Sequence, residues 1–509
     1  MSGFRYAFSL SKDEVRAATP PGTVVLILVP RPSADPADPL NLPQWRKFAI
    51  VGCMSLFAFI ANLSSSSISS VLMQYASSPV LGLPPKSFSE LNHLVAVNVV
   101  MLGGSNLFWV PLSNTFGRRT VVLLSLLILV LSSLWAKLAT SFESLLAARA
   151  IMGIGGAPAD AVSPDVVGEI FFVHERGRAM AIYTVFLCLG SVVGGIIGGY
   201  LVEISFDWLH WMNVILAAVI LVLCFFFQSE TLYERPNLSP PSTLEENEKS
   251  SIQHIESTAT ETVEYPPFTY LRSLKIGIYR PGLAQNFLNV ILTLRLPGVW
   301  LVSFWYAGLV GAMVAMTSSG PSFVAQAPYF WGRNAGLVNL GGLVGSALGG
   351  LYTYLIVDWL TKRRAKKDKD GITEPEPRLV IALPGLAIAT IGTLIFGFVG
   401  ENPSSKGWLG LEFGVGMVAF GLMQAPSVGF NYIIESYPSV PGDCFVAITT
   451  VRATIAFAWT FFVGSWVEDR GAAEPYGIFG MVQGLIALIT VPYIFYGKRF
   501  RIATAKWVR

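Results

Sequence analysis

Charged side chains inside long apolar runs are the groups of this sequence that could do chemistry, because a charge in such a run is costly and marks function. Arg149, Asp160 and Asp165 share one run, residues 144–171, and Arg452 lies in another, residues 443–467. Arg149, Gly153, Gly156 and Asp160 fall at i, i+4, i+7 and i+11, one stripe of a helix at about 100° per residue. On a helix surrounded by lipid, that stripe is expected to face a polar cavity. Arg149 and Asp160 are separated by ~16 Å of helical rise, so Arg149 needs partners from another helix. A guanidinium keeps its charge at any cellular pH, whereas a carboxyl raised by burial can take up a proton near neutrality. Asp160 is the first candidate for that proton and Asp165 the second. Arg149 is then expected to exchange partners as the carboxyl titrates. Asn62, Gln424, Asn431 and Arg452, inside other runs, are expected to line the same pathway. Trp305, Tyr306, Tyr329, Tyr432 and Trp459 could wall it for a flat organic solute.

Other chemistries find little support. No Gly-x-x-x-x-Gly-Lys-Ser/Thr loop is present, so the energy source is expected to be an ion gradient, protons first, with no cofactor. No cluster of His, Cys or Ser offers a nucleophile with its base, so an enzyme is not expected. Cys53, Cys188, Cys224 and Cys444 sit in or beside apolar runs at no metal spacing and read as core packing. Basic residues lie in short loops rather than on one face, so no nucleic acid is expected.

The elements that must position these residues follow from composition. The 509 residues are 53% hydrophobic and only 13% charged, against about 25% charged in soluble domains. Twelve apolar runs are each near the ~20 residues that cross a bilayer: 46–69, 90–111, 119–138, 144–171, 178–202, 209–229, 298–320, 334–357, 379–399, 408–434, 443–467 and 475–497. The fold class is therefore an all-α membrane protein with twelve transmembrane helices in two six-helix bundles. Lys and Arg are concentrated in the tails and in the loops on the side of the N-terminus. The opposite loops hold only Lys86, Lys137, Arg333, Lys406 and Arg470. By the positive-inside rule both termini are cytosolic. The division expected is a cytosolic tail (1–45), an N-terminal bundle (46–229), a cytosolic linker (230–297), a C-terminal bundle (298–497) and a cytosolic tail (498–509). The linker is rich in Ser, Thr, Glu and Pro in its middle, which predicts disorder there, followed by a surface helix over 268–279. Asn62 opens a glycosylation sequon but lies in mid-span, where modification is not expected.

Five short stretches carry a family resemblance. Residues 110–120, VPLSNTFGRRT, lie between the second and third runs. They resemble the inner-loop signature Gly-x-Leu-Ala-Asp-Arg-x-Gly-Arg-Arg of the major facilitator superfamily through Leu112, Gly117, Arg118 and Arg119. Val110, Asn114 and Thr115 depart from it. The resemblance implies an inner charge cluster that latches one conformation. With Asn114 in the acidic place, the carboxylate is expected to come from Glu169. Arg178, in the next inner turn, is expected to join this gate. Asp358, Lys362 and Arg363 overlay Asn114, Arg118 and Arg119, and Glu435 overlays Glu169, as duplicated halves would require. Arg149-x-x-x-Gly153-x-Gly155 resembles the fourth-span arginine motif. Gly190, Gly194, Gly195, Gly198 and Gly199 resemble the fifth-span antiporter motif, with Gly195 where the family has Pro; such small residues let helices approach closely. Ser229–Arg235 and Glu374–Leu379 are similar to stretches of fungal drug:proton antiporter-like and polyamine-permease-like members.

The expectation is a monomeric, multi-pass secondary transporter, in the plasma membrane, that moves a small organic solute by alternating access. Proton-coupled efflux of a drug or secondary metabolite is the first reading, and proton-coupled uptake of a nutrient such as a polyamine the second. A non-transporting membrane sensor is the alternative of another class. Substrate, direction and coupling ion are not legible in the residues.

Overall fold

The structure is a computed structural model that describes residues 24–25, 35–72, 87–233, 279–365, 372–438 and 440–504. Twelve helices are long and apolar enough to cross a membrane: Gln44–Val71, Ser89–Phe116, Arg118–Leu138, Phe142–Ile170, Glu175–Ile204, Phe206–Phe227, Pro297–Ala325, Asn334–Ile356, Glu376–Glu401, Gly407–Ser436, Pro441–Arg470 and Ala473–Thr504. They are called spans one to twelve below. An even number returns the chain to the face it started from. The face bearing Gln44 and Thr504 is the terminal face, and the other is the opposite face.

Each predicted run falls on one span, but several ends move. The last helix continues to Thr504, past the predicted boundary at 497. Its basic end is neutralised rather than solvated: Arg501 is buried and bonded to Glu376 at 2.7 and 2.9 Å. The predicted surface helix over 268–279 falls, up to residue 278, outside the described residues. A short helix, Leu283–Thr293, stands just beyond it. Proline breaks the regular ladder where its ring and missing N–H require. Span four is interrupted at Ala157 before Pro158, and span ten widens into a π-helical turn over Ala425–Phe430, which contains Pro426. Val24–Val25 (β1) pairs antiparallel with Ile372–Thr373 (β2), Val24 opposite Thr373.

The packing repeats itself across the two halves. Span one lies along span five, as span seven lies along span eleven; spans two, three and six surround four and three as spans eight, nine and twelve surround ten and nine. The halves meet along two symmetric seams, spans two with eleven and five with eight. Glycine makes these approaches possible, since lipid gives no hydrophobic drive between spans and backbone proximity must supply the contact. Gly190, Gly194 and Gly198 rest on the backbones of Phe59, Leu63 and Ser67 in span one, while Gly195 turns to Asn339 at span eight. Gly199 is buried beside them. Gly341 and Gly345 of span eight do the same against Glu412 and Gly416 of span ten.

A methyl group at Gly190 has no room, whereas one at Gly52 meets open space. Alanine favours helix at both positions. Gly190→Ala is therefore expected to lower stability by about 1–3 kcal/mol through overpacking, and Gly52→Ala to raise it by up to about 1 kcal/mol. Thermal unfolding of the two purified variants checks this pair; equal midpoints would refute the packing assignment.

Candidate functional site: a cross-bundle ion pair beneath a central cavity

Burying a charge in an apolar slab demands a partner, and the four charges inside the apolar runs find different ones. Asp160 of span four forms an ion pair with Arg452 of span eleven, both buried. The Arg452 guanidinium also lies over the Tyr306 ring, 4.7 Å from its centre, a cation–π contact from span seven. Tyr183 of span five anchors the neighbouring turn, its hydroxyl donating to the Ala159 carbonyl at 2.6 Å. The pair is under-satisfied: among the described residues, Asp160 Oδ1 and Arg452 Nε have no hydrogen-bond partner. A buried ion pair repays its desolvation only when its remaining polar atoms are bonded. This one is a poor stabiliser.

Arg452 forms part of the lining of a central cavity of about 50 Å³ between the halves, enough for a few waters and too small for an organic solute. Ser65, Ser66, Ser69 and Asn62 of span one give it a polar wall, and Val99, Leu187, Met313 and Leu422 an apolar one. The lining residues of spans one and two stand toward the opposite face, above the ion pair. The halves are closed here around a nearly empty centre.

Arg149 is not part of this site, contrary to the sequence expectation. It is buried, and its Nε donates to the Leu94 carbonyl at 3.2 Å, and its two terminal nitrogens to the Ser64 and Ser65 carbonyls at 2.6 Å each. Those serines end the regular helix of span one, where the last carbonyls lack intrahelical partners. Its stripe mates Gly153 and Gly156 pack on spans two and one, not on a cavity. The stripe faces protein because a break at Ala157 lets only Asp160 turn to the other half.

Gln424 and Asn431 also lie off the cavity. Gln424 accepts from the Thr353 hydroxyl at 3.3 Å, and Asn431 donates to the Ser427 carbonyl one turn back at 2.6 Å. They join spans and turns rather than face solute. Of the aromatics, Tyr306 alone meets the ion pair; Trp459 lines a separate apolar cavity of about 320 Å³ beside Phe462 and Phe479. Sequence reasoning passed over the serine run 64–70, whose signal was there: hydroxyls crowded at the end of an apolar span.

The charge cluster at the terminal face is built around Arg118. Its guanidinium meets Asp165 at 2.5 Å and Glu169 at 3.1 Å, and bonds Ser113 Oγ and Asn114 Oδ1 at 2.6 Å. Asp165 thus belongs to this cluster and not to the cavity. Glu230, just after span six, supplies a carboxylate not foreseen. It accepts from the Arg118 and Arg119 amides at 2.9 and 3.2 Å, capping the start of span three where four amides lack partners. Gly117 allows this approach, with φ of 95° and the Glu230 carboxylate where a side chain would stand. Burial pushes the Glu230 carboxyl above its ordinary range, against the pull of its amide donors. Thr231 ties the same segment to Glu169 Oε2 at 2.8 Å. Arg119 turns away, donating to the Phe225 carbonyl at 2.6 Å.

In the second half the equivalent pair is Arg378 with Glu435, at 2.6 Å. The expected overlay of Asp358 and Arg363 on the Arg118 turn concerns side chains outside the described residues. The start of span nine is Glu376–Arg378, and its carboxylate binds Arg501 of span twelve, so the charges at this junction are reversed relative to Glu230 and span three. Across the halves, Arg178 lies over the Tyr354 ring at 5.4 Å, and Asp165 abuts Gly442 in the first turn of span eleven.

Residues 50–459 match the sequence profile of the Major Facilitator Superfamily. The chain belongs to that family. It is 26% identical to the efflux pump FUB11 of Gibberella moniliformis, over 91% of this chain and 74% of that one. It is 25% identical to the citrinin biosynthesis cluster MFS transporter mrr1 of Monascus ruber, over 91% and 88%. The proton:xylose symporter XylE bound to 6-bromo-6-deoxy-D-glucose shares the fold at a TM-score of 0.59, with 16% identity over 92% of this chain and all of the other. The protein is a membrane transporter and not an enzyme.

Two predictions follow from the geometry of this region. Arg149→Lys keeps the charge but not the three directed bonds, and Arg149→Ala removes all three. A bond from a charged donor contributes about 1.5–3 kcal/mol, so both variants are expected to unfold at lower temperature; unchanged midpoints with lost transport would instead restore a mechanistic role. At the terminal face, a carboxylate beside a helix N-terminus contributes up to ~2 kcal/mol. Asp165→Asn should therefore raise the population open at that face by about ten-fold, and Glu169→Gln by less. Spin-label distances between the ends of spans two and eleven read this directly, and identical distributions would remove Asp165 from the gate.

Proposed function

We propose that the protein exports a small organic solute in exchange for protons, with the Asp160–Arg452 pair as the coupling element. The observation that carries this reading is the pair's position: it joins the two halves at the base of the cavity and is left under-bonded. Protonating Asp160 removes the charge that holds Arg452, and spans four and eleven lose their tie. Proton binding from one side and solute binding from the other would then alternate with opening of the halves. The Lys and Arg distribution supports a cytosolic terminal face, and the plasma membrane is the proposed site.

Export is supported by the two fungal relatives, one an efflux pump and one a biosynthesis-cluster transporter. Uptake of a polyamine fits the site less well. Among the described residues, the cavity lining bears hydroxyls, an amide and one guanidinium but no carboxylate, which favours an uncharged or anionic solute over a polycation. The glycines of span five, packed on span one, give that pair of helices a close seam along which to move as one body.

The experiment is accumulation in everted vesicles of cells that express the protein, with labelled fungal metabolites and labelled spermidine as alternative solutes. A neutral or acidic metabolite is expected to accumulate when the vesicle lumen is acidified. Asp160→Asn should reach the membrane at normal levels and lose the pH dependence, with accumulation reduced about ten-fold or more. Full pH-dependent accumulation by that variant would place coupling elsewhere, and accumulation of spermidine alone would reverse the choice of solute.

A further inference from the structure

The short helix Leu283–Thr293 lies on the terminal face and touches both halves. Phe287 packs edge-on to Phe108 of span two, with ring centres 6.1 Å apart. Asn286 donates to Thr115 Oγ1 at 3.3 Å, and the Arg280 amide to the Thr115 carbonyl at 2.8 Å. At the other end Val290 and Thr293 are buried, where the helix packs on span eleven. A helix fixed on one side by such contacts shows its other side to whatever lies outside.

That outer side is apolar. Leu288 is 53% exposed, Ile291 60% and Leu292 38%, and at 100° per residue the three share one face, opposite Val290 and Thr293. The helix itself bears no charge, but Arg280 and Arg295 flank it, and among the described residues neither side chain has a hydrogen-bond or ion-pair partner. The exposed face continues into surface that a bilayer must cover. Phe108 of span two is 58% exposed, and Trp300 of span seven donates its indole N–H to the Leu294 carbonyl at 2.7 Å. An apolar face joined to the lipid-facing sides of two spans, with a tryptophan and cations at its ends, has the composition of an interfacial helix.

We propose that this helix is a binding site for acidic phospholipid in the leaflet of the terminal face. Leu288, Ile291 and Leu292 enter the acyl-chain boundary, and Arg280 and Arg295 take the anionic headgroups. Each such cation is worth about five-fold in attraction to an anionic surface. The inference is independent of solute and coupling ion. Because the helix spans the seam between spans two and eleven, lipid held there acts on both halves at once.

The test uses the full chain, with its four buried cysteines replaced and one bimane label at Leu288→Cys, in vesicles of uniform composition. Orientation is then immaterial. Brominated-chain phosphatidylcholine is expected to quench the label and aqueous iodide to leave it bright. Brominated phosphatidylserine at the same mole fraction should quench more strongly, by about five-fold per arginine in apparent affinity, and Arg280→Gln with Arg295→Gln should abolish the difference. Quenching by iodide would put the face in water, and quenching by neither would show that protein covers it; each overturns the proposal. Equal quenching by both brominated lipids overturns the headgroup assignment. If Leu288→Cys does not fold, Ile291→Cys on the same face gives the same readout.

Discussion

The constraint on which the rest depends is that a charge within the membrane must be answered by protein. Three solutions occur in one molecule. Arg149 is answered by carbonyls at a helix end, Arg118 by two carboxylates of a neighbouring span, and Arg452 by a single carboxylate across the seam between halves. The first two are multiply bonded and confined to one half. Among the described residues only the third joins the halves, and Arg118 Nε, like Arg452 Nε, is left without a hydrogen-bond partner. Position across the seam, not burial or satisfaction, separates the structural charges from the one suited to change partners.

Close helix approach serves the same end. Glycines let span five lie on span one, and span eight on span ten, so that each half holds its shape through backbone contact. The features that can reorganise are placed at the seams between halves: the ion pair, the abutment of Asp165 on the first turn of span eleven, and the Arg178–Tyr354 contact. A family built on two internally rigid bundles needs this division, since alternating access is movement of one body against another.

The two halves repeat the architecture more faithfully than the residues. The junction of span three with the segment after span six is closed by Glu230 on backbone amides. Its counterpart, span nine with the end of span twelve, is closed by Arg501 on Glu376. Geometry is conserved between the halves while the sign of the charge is exchanged, because either ordering neutralises a buried helix end. A search for the repeat by residue type therefore aligns Asp358 and Arg363 with the first-half turn, while the bonded equivalent is Arg378 with Glu435.

The sequence by itself determined the twelve spans, because crossing hydrocarbon requires a long apolar run and nothing else in the chain imitates one. It also determined that Asp160 and Arg452 are set apart, since charge in such a run has few explanations, and the resemblance of residues 110–120 to the inner-loop signature implied that Arg118 would meet Glu169. Partners across the seam were beyond it: Asp160 and Arg452 are 292 residues apart, and no local period records which helices will meet. The same holds for Arg149, whose stripe looked like a cavity face until a proline break rotated Asp160 away from it. Which side of a helix meets protein, cavity or lipid is fixed by packing of all twelve together, and that is what only the tertiary structure decided.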